Sequence, residues 1–181
     1  FEMKNIRSQR QEKGLKAQHL TAVHAMQKIC QAEVIGDMIK STQLRFIPHQ
    51  VKGGRYRFDI GTAGSIPLVL QTLIPAALHG EQPSTLEVIG GTNPPLSPPS
   101  LHFKDVFCDF LRKMGIEIEC RIERFGFYPQ GGGKMIVTVK PCKQLKPISF
   151  LERGKRKTIH LAAYASRTLN ERKVAQRMIT S

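Results

Sequence analysis

Gly61-Thr-Ala-Gly-Ser-Ile-Pro-Leu-Val-Leu-Gln-Thr-Leu-Ile-Pro-Ala-Ala-Leu78 opens with two glycines and a serine, then runs apolar almost without interruption. Gln71 is the exception in its middle. A glycine-containing turn entering a helix exposes free backbone N–H groups at the positive end of the helix dipole, where anions bind readily. A helix apolar on all sides is a buried one. A buried amide side chain needs partners, or it costs about 1–3 kcal/mol. Two readings follow from these residues. The stretch is either the wall of a binding site with Gln71 as a polar handle, or a core helix whose Gln71 bonds a neighbouring carbonyl.

Working outward, Tyr56, Phe58 and Ile60 alternate as a strand in front of this helix, and Thr85–Ile89 is a strand behind it. Thr92–Ser100 holds four prolines and reads as an extended loop. Phe103, Val106, Phe107, Phe110, Leu111 and Met114 keep helical spacing up to a terminating Gly115. Strands at Ile116–Ile122 and Met135–Val139 follow, separated by Gly126-Phe-Tyr-Pro-Gln-Gly-Gly-Gly133. The order is βαβαββ.

A similar pass precedes it. Glu2–Arg7 reads as a strand and Ser8–Lys16 as a polar loop with Arg10, Lys13 and Lys16. A helix over Leu15–Cys30 and strands at Ala32–Ile39 and Gln43–Pro48 complete it. His19-Leu20 and His102-Phe103 begin equivalent helices 83 residues apart. The fold class expected is therefore α/β (α+β), built of repeated βαβαββ units, each a four-stranded sheet with two helices. Residues 1–52 form the first unit, with its opening strand and helix expected to lie before Phe1, and residues 53–147 form the second. Residues 148–181 read as a connector, a basic turn at 153–157, a strand at Thr158–Ala165 and a helix over Asn170–Ile179 capped by Asn170. They are expected to open a smaller inserted α/β domain.

Lys and Arg outnumber Asp and Glu by 28 to 14, a net charge of +14 that favours an anionic partner, nucleic acid first. No basic amphipathic stretch points to a membrane surface. The apolar run itself is broken by Pro67, Pro75 and Gln71, which argues against a membrane span. Cys30, Cys108, Cys120 and Cys142 are isolated and read as reduced thiols of a cytoplasmic protein. No zinc signature can be assembled from them and the histidines.

Arg7 and Arg10, with Gln18 at the head of the next helix, suit a polyphosphate, because the guanidinium fork makes two hydrogen bonds to phosphate oxygens. The alternative is a solvated basic loop. Gly126–Gly133 is either a long hairpin turn or a ligand-contacting loop through Gly131 and Gly132. It is neither a dinucleotide-binding glycine motif nor a Walker loop. No histidine stands beside a nucleophile with an orienting acid, so no complete catalytic apparatus is visible.

Four motifs occur in order: Ile6-Arg…Arg10…Gly14-Leu…Gln18-His-Leu-Thr, Gly61-Thr-Ala-Gly-Ser…Leu-Val-Leu-Gln-Thr, Gly90-Gly-Thr-Asn…Pro98-Pro, and Gly126-Phe-Tyr-Pro-Gln-Gly-Gly-Gly133. In this spacing they resemble the RNA 3′-terminal phosphate cyclases, over about residues 3 to 154. The resemblance implies an enzyme that uses ATP and a divalent metal, Mg2+ or Mn2+, on RNA 3′-phosphate ends. The product is a 2′,3′-cyclic phosphodiester, formed through enzyme-histidine-AMP and RNA-adenylate intermediates. It implies that Gln71 is an ATP-site glutamine, that Arg7, Arg10 and Gln18 contact phosphate or nucleotide, and that Pro98 lines an adenine pocket. Gly64, Ser65, Gly131 and Gly132 are further loop contacts. The histidine nucleophile is expected beyond Ser181, and a metal-linked glutamate before Phe1, so these residues contain no catalytic or metal-binding position of the family. Homo-oligomers are compatible with the resemblance.

Three positions depart from the family pattern. Phe125 stands where Arg or His is usual, with Arg124 one place off; Lys13 replaces a proline, and His102 an acid. An alternative is the cyclase-like ribosome-biogenesis branch, which binds rRNA without cyclising it. Retention of Arg10, Gln18 and Gln71 favours the true cyclase. A generic basic RNA-binding module would account for the charge but not for the motifs.

Overall fold

The computed structural model describes residues 1–155 and 157–180, which separate into two compact units, Phe1–Pro147 and Ile148–Ser181. The fold is α+β. Within the larger unit, strand β1 (Glu2–Met3) leads through a loop to helix α1 (Ala17–Cys30), then β2 (Glu33–Ile35) and β3 (Leu44–Ile47). These strands form an antiparallel sheet in the order β1-β3-β2. Helix α1 stops where Gln31 turns left-handed (φ 50°) and its N–H closes on the Gln27 carbonyl.

The second sheet has the order β4-β5-β7-β6, from β4 (Gly54–Asp59), β5 (Ser84–Gly90), β6 (Ile118–Arg124) and β7 (Gly133–Val139). β4 and β5 are parallel, joined by helix α2 (Ile66–Ala77); the other pairings are antiparallel. Between β5 and β6 the chain is irregular to Pro99, then helical through α3 (Ser100–His102), a π-helical turn (Phe103–Phe107) and α4 (Cys108–Lys113). Asn93 holds the proline-rich loop in place. Its Oδ1 accepts from the Ser100 N–H at 3.1 Å and the Ser100 hydroxyl at 3.0 Å.

Helix α2 starts where Ser65 Oγ accepts the Leu68 N–H at 3.3 Å, with a proline in the first turn. Its core side carries Ile66, Val69, Leu70, Leu73 and Ile74, all buried. The expectation of burial on every side is corrected: Thr72 and Pro75 are exposed, and Leu68 and Gln71 only half-buried. Pro75 lacks an N–H, so it is tolerated on this open stripe, where water can serve the carbonyl left without its i+4 donor. The core is continuous from α1 (Ala25, Ile29, Cys30) through α2 to β5, β7 and the Phe103 turn. All four cysteines are free; Cys30, Cys108 and Cys120 are buried. No helix among the described residues is long and apolar enough to cross a membrane.

In the smaller unit two expectations fail. Thr158–Ala165 forms no strand and is largely exposed, for no described strand of that unit offers its backbone a partner. Asn170 caps no helix. It closes a 3-10 turn (Arg167–Leu169), and helix α5 (Val174–Thr180) begins only after Lys173 turns left-handed at φ 48°. The expected basic turn at 153–157 includes Arg156, which, like Ser181, lies outside the described residues.

Candidate functional site

A cavity of about 810 Å3 lies where the β1–α1 loop faces the start of α2. The loop's fold is dictated by backbone bonds: Gly14 N–H to Ile6 O at 2.9 Å, Lys40 N–H to Leu15 O at 2.8 Å, and Leu15 N–H to Ser41 O at 3.0 Å. They clamp residues 6–15 against 38–42 and bring Lys40 beside the loop cations. Arg7 adopts φ 52° and donates from Nη1 to the Gly14 carbonyl at 3.0 Å, which fixes its guanidinium at the cavity edge. Arg10, Lys13, Lys16 and Lys40 also line the cavity, and Glu12 is the acid among them. Glu12 pairs with Lys16 at 2.5 Å. That contact, reinforced by the Lys16, Arg7 and Lys40 charges, holds its carboxyl below the usual range. The cations still outnumber it, so the cavity favours an anion.

Two helix N-termini meet here. Helix α1 has no acid in its first turn and takes no side-chain cap from Lys16. Helix α2 likewise has no acid in its first turn. Gln18 ties the two together: its Oε1 accepts the Ser65 N–H at 2.7 Å, leaving Nε2 as a donor. The approach is close enough that Gly64 has no room for a side chain; a Cβ would lie 2.8 Å from Ile60 and 3.1 Å from Gln18 Cβ. The His19 ring is held by the Lys16 N–H, which donates to Nδ1 at 3.1 Å. Burial first, then the Arg7 and Lys16 charges, push its pKa down. Such a set of forked, point-charge and backbone donors suits the oxygens of a polyphosphate.

Of the residues singled out in the sequence, the cavity gathers Arg7, Arg10, Gln18, Gly64 and Ser65. Gln71 sits one turn beyond the lining residue Leu68, and Pro98 one place beyond the lining residue Ser97; neither lines the cavity itself. Gly131 (φ 71°) packs closely on the turn before α2, where a Cβ would lie 2.7 Å from the Thr62 carbonyl. Gly132 (φ 67°) faces open space, and its carbonyl accepts from Arg124 Nε at 2.7 Å. Thr62 and Leu96 line the cavity from the Gly61–Ser65 turn and the proline-rich loop, and Lys40, which the sequence did not single out, lines it as well. Lys40 arrives through long-range backbone bonds and leaves no signal in local sequence.

No three of His, Cys, Asp and Glu come together to hold a metal among the described residues. His24 pairs with Asp37 at 3.0 Å and His49 with Glu33 at 3.2 Å, and neither histidine lines the cavity.

A family model described as RNA 3′-terminal phosphate cyclase matches residues 1–179. The chain belongs to that family. Proteins named RNA 3′-terminal phosphate cyclase are similar to it along nearly its whole length. The one from Staphylothermus marinus is 44% identical over 178 residues, 98% of this chain and 49% of that protein. The one from Salmonella agona is 42% identical over 178 residues, 97% of this chain and 52% of that protein. A third, from Ectopseudomonas mendocina, is 45% identical over 148 residues, 82% of this chain and 43% of that protein. The chain thus spans about half the length of the cyclase relatives it matches.

Proposed function

We propose that this chain supplies the polyphosphate-binding part of an ATP-dependent RNA 3′-terminal phosphate cyclase. The whole protein would convert an RNA 3′-phosphate into a 2′,3′-cyclic phosphodiester by way of a histidine–AMP adduct and an RNA adenylate. The observation that carries this reading is the cavity in which Arg7, Arg10 and Gln18 of one sheet's connections meet Gly64 and Ser65 of the other's. Bound there, ATP would supply an activated adenylyl group. Arg7 and Arg10 would offset the charge of its phosphates, and Gln18 Nε2 with the N–H groups of the α1 N-terminus would orient their oxygens. Gln71, one turn beyond Leu68, and Pro98, beside Ser97, would extend the contacts toward the nucleoside.

The divalent metal does not fit this donor set, since among the described residues no group of three His, Cys, Asp or Glu accompanies the cations. No step is therefore assigned to it here. The nucleophilic histidine is likewise sought outside these residues.

The test is label transfer from α-labelled ATP in the full-length protein with Mg2+ or Mn2+. An acid-labile protein–AMP adduct is expected, and its absence with either metal would sink the cyclase reading.

A further inference from the structure

His19 lines the phosphate cavity, and a backbone hydrogen bond fixes which of its ring nitrogens carries the proton. Nδ1 accepts the Lys16 N–H at 3.1 Å, so that nitrogen carries a lone pair and the ring's proton sits on Nε2, the opposite edge. The bond also satisfies one of the free N–H groups at the head of α1, that of Lys16 itself, where Lys16 provides no side-chain cap. Protonation at Nδ1 would break it and place a cation beside Arg7 and Lys16, with Arg10, Lys13 and Lys40 on the same cavity and Glu12 already paired to Lys16. Those groups and the ring's partial burial keep the imidazole neutral. A neutral N–H donor with one fixed direction differs from the arginines and lysines around it. It adds geometry without adding charge.

We propose that His19 is a phosphate-binding residue, held as its Nε2–H tautomer by the Lys16 N–H so that it donates to a phosphate oxygen in the cavity. This rests on the polyphosphate reading of that cavity. The same ring then fastens the first turn of α1, and with it the neighbouring Gln18, to the ligand.

Asparagine separates the two roles, because its Oδ1 can take the place of Nδ1 as the acceptor for Lys16 while no group replaces Nε2–H. Tripolyphosphate would be titrated calorimetrically into the full chain, its His19→Asn variant and an Arg10→Ala variant. Nitrogen-15 spectra of the histidine rings would be recorded in parallel. His19→Asn is expected to keep the unfolding midpoint but bind tripolyphosphate about 10- to 100-fold more weakly, the loss of one hydrogen bond to a charged group. The spectra should show His19 protonated at Nε2 alone, with that N–H shifting on binding. If His19→Asn binds as tightly as the parent while Arg10→Ala is weakened, the His19 assignment is wrong and the polyphosphate reading stands. An Nδ1–H tautomer also overturns the assignment. If the parent chain binds no tripolyphosphate, the reading of the cavity falls, and the assignment with it.

Discussion

The two sheets of the larger unit share a strand order but not a degree of burial. β1-β3-β2 repeats β5-β7-β6, antiparallel in both, yet β1 pairs over two residues and β5 over seven. β5 is also flanked by β4 along its other edge, and α2 covers it with side chains that are fully buried. In the first sheet Met3 remains 43% exposed, and α1 buries only Ala25, Ile29 and Cys30. The site draws differently on the two halves. The lightly buried one provides the side-chain charges, Arg7, Arg10, Lys13 and Lys16; the heavily buried one provides a rigid turn, Gly64 and Ser65. The turn's own N–H groups are already bonded, Gly64 to Thr62 Oγ1 and Ser65 to Gln18 Oε1, so a core-anchored turn serves to hold Gln18 still. Long cationic side chains can adapt from a looser loop.

The sharpest way to break this comparison is to remove one apolar side chain from each half. Leu73→Ala, at a position with no exposure, should cost about 2–5 kcal/mol. Met3→Ala, near half exposure, should cost less than about 1 kcal/mol. Urea unfolding measures both. Equal midpoint shifts would mean that the two sheets contribute alike to the core and that the asymmetry is only apparent.

A smaller effect is expected where the halves are joined. Gln18→Ala deletes the acceptor of the Ser65 N–H, and Ser65 is fully buried. A loss of about 1–3 kcal/mol follows from an unpaired buried donor. Gln18→Glu keeps an acceptor and should restore much of it. If Gln18→Ala unfolds at the parent's midpoint, Gln18 has no structural role, and the two halves are joined by their other contacts, α1 on α2 and β4 and the Gln50–Glu81 hydrogen bond.

The repeat itself was legible because apolar periodicity changes from two to 3.6 and back at glycines and prolines. Alternation at Tyr56, Phe58 and Ile60, the run from Ile66 and the stop at Gly115 are all local signals. Arg7, Arg10 and Gln18 were legible as phosphate candidates from residue chemistry, and the cavity brings them together with Gly64 and Ser65. Two things were not. The open stripe of α2 cannot be read from composition, since Leu68 looks no different from Leu70; burial is decided by which neighbour each one faces. Lys40 could not be found because two backbone bonds across more than twenty residues place it. The failed strand at Thr158–Ala165 has the opposite lesson. Its pattern suits a strand, but a strand exists only with a partner.

The finest distinction between the halves concerns pH, and it isolates His19 on the charged side of the site. Its folded-state pKa lies below the ordinary 6.5 because burial and the Arg7 and Lys16 charges oppose protonation. The unfolded chain therefore binds more protons than the folded one in the window beneath 6.5, so stability rises with pH through it. The contribution is fully present above 6.5 and is lost as pH falls toward the folded-state value. Glu12, also shifted down, acts in a separate and more acidic window, beneath its ordinary 4.5. Comparing unfolding midpoints at pH 7.5 and pH 5.5 (about one unit either side of the ordinary histidine value) thus samples the histidine window and largely spares the carboxylate. The parent should lose stability between the two, and His19→Asn should lose less, by a modest margin because the ring is only partly buried. An equal loss in both would show that the first turn of α1 is indifferent to the charge of His19. The coupling between that ring, the Lys16 N–H and the neighbouring Gln18 would then have no energetic content.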